Sequence, residues 1–220
     1  MAIRYNSQIV KDGLVMALDA GNPKSYSGTG TTWYDLSGNG YNATMSNLTS
    51  VNWVTYGGIK AFETNDTNDQ GFRISNFPFP QYGRTYEIWL NSKSFSLGWQ
   101  TWFDDGGGER VLFGTSTNTV FIYPDLNFTA NLVAGVWYQL VYTLGGTSGT
   151  IANAYVNGAF LGTGTYASTP ASGTGTLYIL GDSGSEITSC YCSVARVYNR
   201  VLSSDEILQN YNTTRRRFGV

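Results

Sequence analysis

Asn157-Gly158, set between the apolar arms Ala154-Tyr155-Val156 and Ala159-Phe160-Leu161, constrains this chain more than any other pair of residues. A two-residue hairpin turn holds both central residues at positive φ, a region that Asn tolerates and Gly enters freely. The arms must then run antiparallel, with side chains alternating between two faces. Runs of the same kind recur along the sequence. Thr85 to Leu90 and Val136 to Leu144 are dense in aromatic and β-branched residues, and shorter runs span Arg110 to Phe113, Thr119 to Tyr123, Thr176 to Leu180 and Cys190 to Tyr198. Turn signals at Asp35-Leu36-Ser37-Gly38-Asn39-Gly40 and Gly106-Gly107-Gly108 punctuate them. The spacing predicts an all-β fold of the meander or jelly-roll kind.

The composition supports that reading. Charged residues make up only 13% of the chain, against 27 Gly, 16 Tyr, 11 Phe and 6 Trp, a profile of many short strands and turns. At 220 residues with no internal linker, one domain is expected over 1–220, its core over about 12–214 and short arms at each end. A net charge of -2 provides no field to attract nucleic acid or an anionic membrane, so neither is an expected partner. The opening MAIRYNSQIVKDGLVMALDA lacks the apolar core of a secretion signal, which predicts synthesis in the cytoplasm as a soluble product.

One helix is expected, near the end. Ser203 and Glu206 form a capping box, and Leu202 and Ile207 are spaced to pack across it. With Ile207, Leu208 and Tyr211 on one side, this short helix should pack on the edge or rim of the sheets and stop before Arg215. Cys190 and Cys192, two apart in a strand, would share a face as half-buried free thiols, because a bridge between them would be strained.

Taken in order, these pieces resemble the laminin G-like, concanavalin A-like lectin/glucanase jelly roll. Gly13 to Ala20, Ser25-Tyr26 and Thr32 to Gly40 are similar to its first strand and turn. Tyr86-Glu87-Ile88-Trp89-Leu90, Trp137-Tyr138 through Asn157-Gly158, and Ala195 through Glu206-Ile207 to Tyr211 are similar to its later strands and closing helix. The resemblance covers about residues 12–218. It implies a two-sheet antiparallel β-sandwich with Trp33, Trp89 and Trp137 in core positions. The opening and the closing Arg215 to Val220 also resemble versions found in tailed-phage proteins.

Sandwiches of this family include glycosidases, which need two carboxyl groups on either side of the scissile bond. Glu63, Glu87, Glu109, Glu186 and Glu206 are isolated, the glucanase pattern Glu-x-Asp-x-x-Glu is missing, and the chain has no His to build a Ser-His or Cys-His pair. No catalysis is expected. The family often carries calcium, and the run Glu63 to Asp69 supplies hard oxygen ligands, with Asp66, Asn68 and Asp69 as the candidate set. A solvated loop of Asx turns is the alternative reading of that run. Trp99, Trp102, Asp104 and Asp105 bring rings and carboxylates together in what reads as a loop or strand end, a combination suited to sugars, with core packing as the competing role.

Two function classes stay open. The first is a non-enzymatic accessory protein of a bacteriophage virion, such as a head decoration, capsid fibre or tail-associated adhesion subunit. It would sit at the virion surface after assembly in the host cytoplasm, with capsid or tail proteins, host-surface glycans and further copies of itself as partners. Arg215, Arg216 and Arg217 could then grip carboxylates of the larger assembly, with Phe218 as a small apolar anchor, or form a solvated tail after the helix. The second class is a carbohydrate-binding lectin module outside any virion, and a glucanase-like hydrolase is the third and weakest reading.

Overall fold

Among the described residues, sixteen strands, numbered in chain order, form two eight-stranded antiparallel sheets. The first runs β14 (Ala159–Tyr166), β13 (Thr150–Val156), β12 (Trp137–Gly145), β7 (Arg84–Ser92), β16 (Cys190–Tyr198), β5 (Ile59–Glu63) and β4 (Trp53–Tyr56), with β1 (Leu14–Asp19) also paired to β16. The second runs β11 (Leu126–Thr129), β10 (Thr119–Tyr123), β9 (Arg110–Phe113), β8 (Gln100–Asp104), β15 (Gly173–Ile179), β6 (Gly71–Phe79), β3 (Ala43–Ser46) and β2 (Thr32–Trp33). One helix, α1 (Ser204–Thr214), follows β16 and runs into a 3₁₀ turn at Arg215–Arg217. The computed structural model describes residues 8–65, 70–80, 82–95, 99–106, 110–113, 119–123, 126–145, 150–166, 172–181 and 188–220.

The predicted jelly-roll sandwich is what forms, and period-2 alternation explains its interior. Tyr86, Ile88 and Leu90 of β7 face Phe72, Ile74 and Phe77 of β6 across a continuous apolar core. Trp33, Phe62 and Phe72 meet pairwise with ring centroids 4.9 Å apart, the tilted and edge-on geometry that aromatic quadrupoles favour. The predicted hairpin closes β13 onto β14, with Asn157 at φ 51° and Gly158 at φ 75°. The Asn157 amide oxygen also accepts from Gln139 N at 2.9 Å, tying the turn to β12. In the early turn, the Asp35 carboxylate accepts from the backbone N–H groups of Ala17, Ser37, Gly40 and Tyr41, which holds that loop against β1.

Along one rim the two sheets draw together. Gly162 and Gly164 of β14 face the interior, and a Cβ at either would lie 2.6 Å from the Phe128 ring or 2.4 Å from Leu126 Cδ2. Two side chains of the second sheet's edge strand thus occupy the space that β14 leaves open.

The outer face of the first sheet is also buried along β7. Thr85, Glu87, Trp89 and Asn91 of β7 point away from the interior yet are covered. The cover is α1 and the tail after it. Ser203 accepts from Glu206 N, Glu206 returns a bond to Ser203 N, and Leu202 and Ile207 pack together as the capping pattern predicts. The helix lies on the sheet face, however, and not on the edge or rim. Ile207, Asn210 and Thr214 are its buried residues, whereas Leu208 is exposed. Asn210 explains the placement, because its amide reaches Glu87 Oε2 at 2.8 Å and Tyr198 Oη at 2.9 Å.

The described parts of the expected terminal arms, residues 8–11 and 215–220, are part of the packed body, and residues 1–7 lie outside the described residues. Val10 is buried, its N–H donates to Asn210 Oδ1 at 2.8 Å, and its carbonyl accepts from Tyr198 Oη. Phe218 is 5% exposed and lies on Trp89, centroids 4.2 Å apart and planes 12° from parallel, with Trp137 4.9 Å away. Arg217 binds Asp19 at 2.7 and 2.8 Å and also reaches Ser193. Phe218 is therefore an anchor within this chain and is not free for a partner, while Arg215 and Arg216 remain exposed. The two thiols share an inward face as expected, but they are wholly buried, not half-buried. Burial pushes the Cys190 thiol up to about 12 and Cys192 well above the ordinary thiol value, so both stay protonated and inert.

Candidate binding end of the sandwich

The strands β5, β7 and β15 all end, and β6, β8 and β16 all begin, at one end of the sandwich. The backbone there is tied tightly. Lys93 N donates to Ser189 O at 3.0 Å, Thr64 N to Cys190 O at 2.9 Å, and Thr188 Oγ1 to Thr101 O at 2.6 Å. Gln100, buried at the start of β8, links two of these segments, donating to Ser94 O at 2.7 Å and accepting from Ser189 N at 3.2 Å.

On this base sits a cluster of polar and aromatic side chains. Lys93 Nζ is 2.5 Å from Glu63 Oε1 and 2.7 Å from Asn65 Oδ1, and it stands 4.8 Å above the centre of the Tyr191 ring. Tyr191 in turn stacks on Tyr56, centroids 4.0 Å apart and planes 11° from parallel. Desolvation, followed by the Glu63 carboxylate, holds the Tyr191 phenol above its ordinary value, so it remains a hydrogen-bond donor at neutral pH. Trp99, 44% exposed, stands at the same end, immediately before Gln100.

The sequence candidates are redistributed by this geometry. Trp99 is partly exposed, but Trp102 is 2% exposed in the inter-sheet core and has no free face for a sugar. Asp104 and Asp105 lie at the far end of β8, roughly 16–20 Å of chain away from Trp99. There Asp104 accepts from Gly106 N at 2.7 Å, and Asp105 is 3.8 Å from the buried Arg84 guanidinium. The four residues therefore do not form one site. Asp66, Asn68 and Asp69 lie outside the described residues, and among the described residues no group of three acidic, Cys or His side chains is placed to hold a metal. Glu63 and Asn65, at the start of the same run, hold the Lys93 ammonium.

The Lys93, Tyr191 and Tyr56 cluster escaped sequence reasoning because its members lie far apart in the chain. Only pairing β16 with β5, which sets Tyr191 opposite Glu63, brings them together. Chemically, this end offers an exposed indole, hydroxyl and amide groups, and one compensated charge pair. Those are the groups with which a surface can hold a neutral polar ligand.

Comparisons with known proteins agree with the fold. Residues 64–208 match the profile of the concanavalin A-like lectin/glucanases superfamily. No curated protein sequence matches significantly. Domain 4 of AbnA, an extracellular arabinanase of Geobacillus stearothermophilus solved with arabinotriose, superposes with a TM-score of 0.67 at 12% identity, over 90% of this chain and 98% of that one. The binding domain of botulinum neurotoxin serotype D/C gives 0.66 at 13% identity, over 92% of this chain and 52% of that one. A mutant Trypanosoma rangeli sialidase displaying trans-sialidase activity gives 0.66 at 16%, over 94% of this chain and 34% of that one. The chain thus spans about half of the toxin domain and a third of the sialidase.

Proposed function

Since the chain belongs to the concanavalin A-like lectin/glucanase superfamily, we propose that it is a non-catalytic binding domain whose loop end around Trp99 and Tyr191 recognises glycans, carried as an accessory subunit on a bacteriophage virion. The observation that carries the binding role is the exposed Trp99 indole at the same end as a preformed polar floor of Lys93, Glu63 and Asn65. Aromatic faces and fixed hydrogen-bonding groups are the two elements that sugar recognition combines.

The occupancy of the carboxylates supports a non-catalytic reading. Among the described residues, Glu63 holds Lys93, Glu87 holds Arg196, and Glu206 holds Arg200 while capping α1. Each is committed to a cation, and none is paired with a second carboxyl group as glycoside hydrolysis requires. The virion setting rests on the resemblance of the chain's opening and close to tailed-phage proteins. The packing is compatible with it: residues near both ends are fastened to the outer face of the first sheet.

A lectin module outside any virion is the second reading. The likeness to nearly the whole of an arabinanase domain solved with arabinotriose favours it. Mass spectrometry of purified particles separates the two, with stoichiometric amounts expected for the virion subunit and absence indicating the free module. For the binding role, titration with host-surface polysaccharide should weaken about tenfold on Trp99→Ala, the loss of one stacking contact. Binding that survives this change undiminished would move the site elsewhere. Calcium at Asp66, Asn68 and Asp69 is tested separately by melting in excess calcium and in chelator, where identical curves remove it.

A further inference from the structure

The contacts of Lys93 make up more than an ion pair. Its Nζ touches a carboxylate oxygen, Glu63 Oε1, at 2.5 Å and a carboxamide oxygen, Asn65 Oδ1, at 2.7 Å. A carbonyl bond is about 1.2 Å long, so Asn65 Cγ lies no more than about 3.9 Å from the amine. A nucleophile, an electrophilic carbon and a proton acceptor therefore converge on one point. The Tyr191 ring, backed by Tyr56, closes one side of it, and the Lys93 and Glu63 side chains are only 23% and 28% exposed. The backbone around the point is fixed on both sides, by Asn65 N on Gln70 Oε1 at 2.8 Å and by Lys93 N on Ser189 O at 3.0 Å.

From this geometry we infer that Lys93, Asn65 and Glu63 form a self-linking triad that joins Lys93 Nζ to Asn65 Cγ in an intramolecular amide bond. Glu63 takes one proton from the Lys93 ammonium, which frees the nitrogen lone pair to attack Asn65 Cγ. The carbonyl π pair moves onto Oδ1 and a tetrahedral carbon forms. Glu63 then delivers its proton to the Asn65 nitrogen, the C–N bond to that nitrogen breaks, and the carbonyl re-forms. Ammonia departs, carrying away in its protonated form the remaining proton of the former ammonium. No oxidant or activated donor is consumed, and the chain loses one positive charge. Holding amine and amide in contact replaces a bimolecular encounter, the effect that makes otherwise sluggish amide exchange accessible.

The bond would span the two loops that leave β5 and β7, the strands flanking β16 on either side. It would fasten the floor of the binding end covalently.

Intact-mass measurement of the full chain tests this. The wild-type protein is expected to weigh about 17 Da less than its sequence, one ammonia, and a digest should yield a branched peptide joining Lys93 to Asn65. Lys93→Arg keeps the ion pair but cannot form the bond, so it should show the full sequence mass and melt roughly 10 °C lower. Glu63→Gln should leave the mass at the full value although Lys93 and Asn65 are both present. Wild-type protein that keeps its full sequence mass after prolonged warm incubation overturns the inference. So does a 17 Da loss that persists in Lys93→Arg, because the ammonia would then come from elsewhere.

Discussion

Between the two sheets, Trp33, Phe62 and Phe72 meet ring to ring within a large apolar cluster. On the other side of the first sheet, under α1 and the tail, the layer is built around a buried ion pair. Glu87 Oε1 lies 2.5 Å from Arg196 Nη1 and accepts from Gln139 Nε2 at 3.0 Å, while Oε2 accepts from Asn210 at 2.8 Å. Arg196 in turn reaches Thr214 Oγ1 at 3.3 Å, and the aromatic set of Trp89, Trp137 and Phe218 fills the rest. Around these rings, away from the buried Arg84 and Asp105, the inner layer is non-directional and tolerates other well-packed apolar arrangements. The outer one is directional: α1 can dock in one position only, because its Asn210 must meet Glu87 and Tyr198 together.

That difference sets the sizes of the expected mutational effects. Glu87→Ala strands the Arg196 guanidinium in a dry layer and should cost about 3–5 kcal/mol in denaturant titration, whereas Glu87→Met with Arg196→Met should recover most of the loss. If the single variant costs no more than a surface substitution, water reaches the layer and the contrast between the two cores fails. Phe218→Ala should cost about 3 kcal/mol, as removal of a core aromatic does. A free, solvated tail would instead give no change in the midpoint. Smaller again, Ser203→Ala should cost about 1 kcal/mol, because it removes the cap of α1 but leaves the Glu87 network in place.

The smallest effect depends on pH. Hydrogen bonds from Arg200 bring the Glu206 carboxyl down to about 2 from an unfolded value of 4.5. Its contribution is complete above the unfolded value and is lost as pH falls from there toward about 2. Glu206→Gln should therefore flatten the acid limb of the stability profile between those limits and leave the profile near neutrality parallel to wild type. An unaltered acid limb would show that other carboxylates govern it.

How far the sequence could be read follows the same division. The inner core was legible wherever alternation was regular, as in β7, β12 and the Asn157-Gly158 hairpin. It failed at Trp102. A register shift between Thr101 and Phe103 breaks the two-residue period, so the adjacent Trp102 and Phe103 both turn inward, and a central strand read as a loop or strand end with core packing as the competing role. The outer layer was scarcely legible, since Glu87 and Asn91 in β7 look like solvent-facing residues until α1 and Phe218 are laid over them. For the same reason Phe218 read as part of a loose arm. At the binding end, the sequence singled out Trp99 but could not foresee that Glu63 and Asn65 would close on Lys93. No local pattern encodes a contact made across β16.

The glycines at 162 and 164 carry a consequence beyond packing. Edge strands expose unpaired N–H and C=O groups and are where sheet proteins recruit one another into aggregates. By admitting Phe128 and Leu126, these glycines let β14 and β11, the outermost strands of the two sheets on that side, lie against each other. A rim drawn together in this way leaves a neighbouring strand less room to approach these two edges than a splayed pair would.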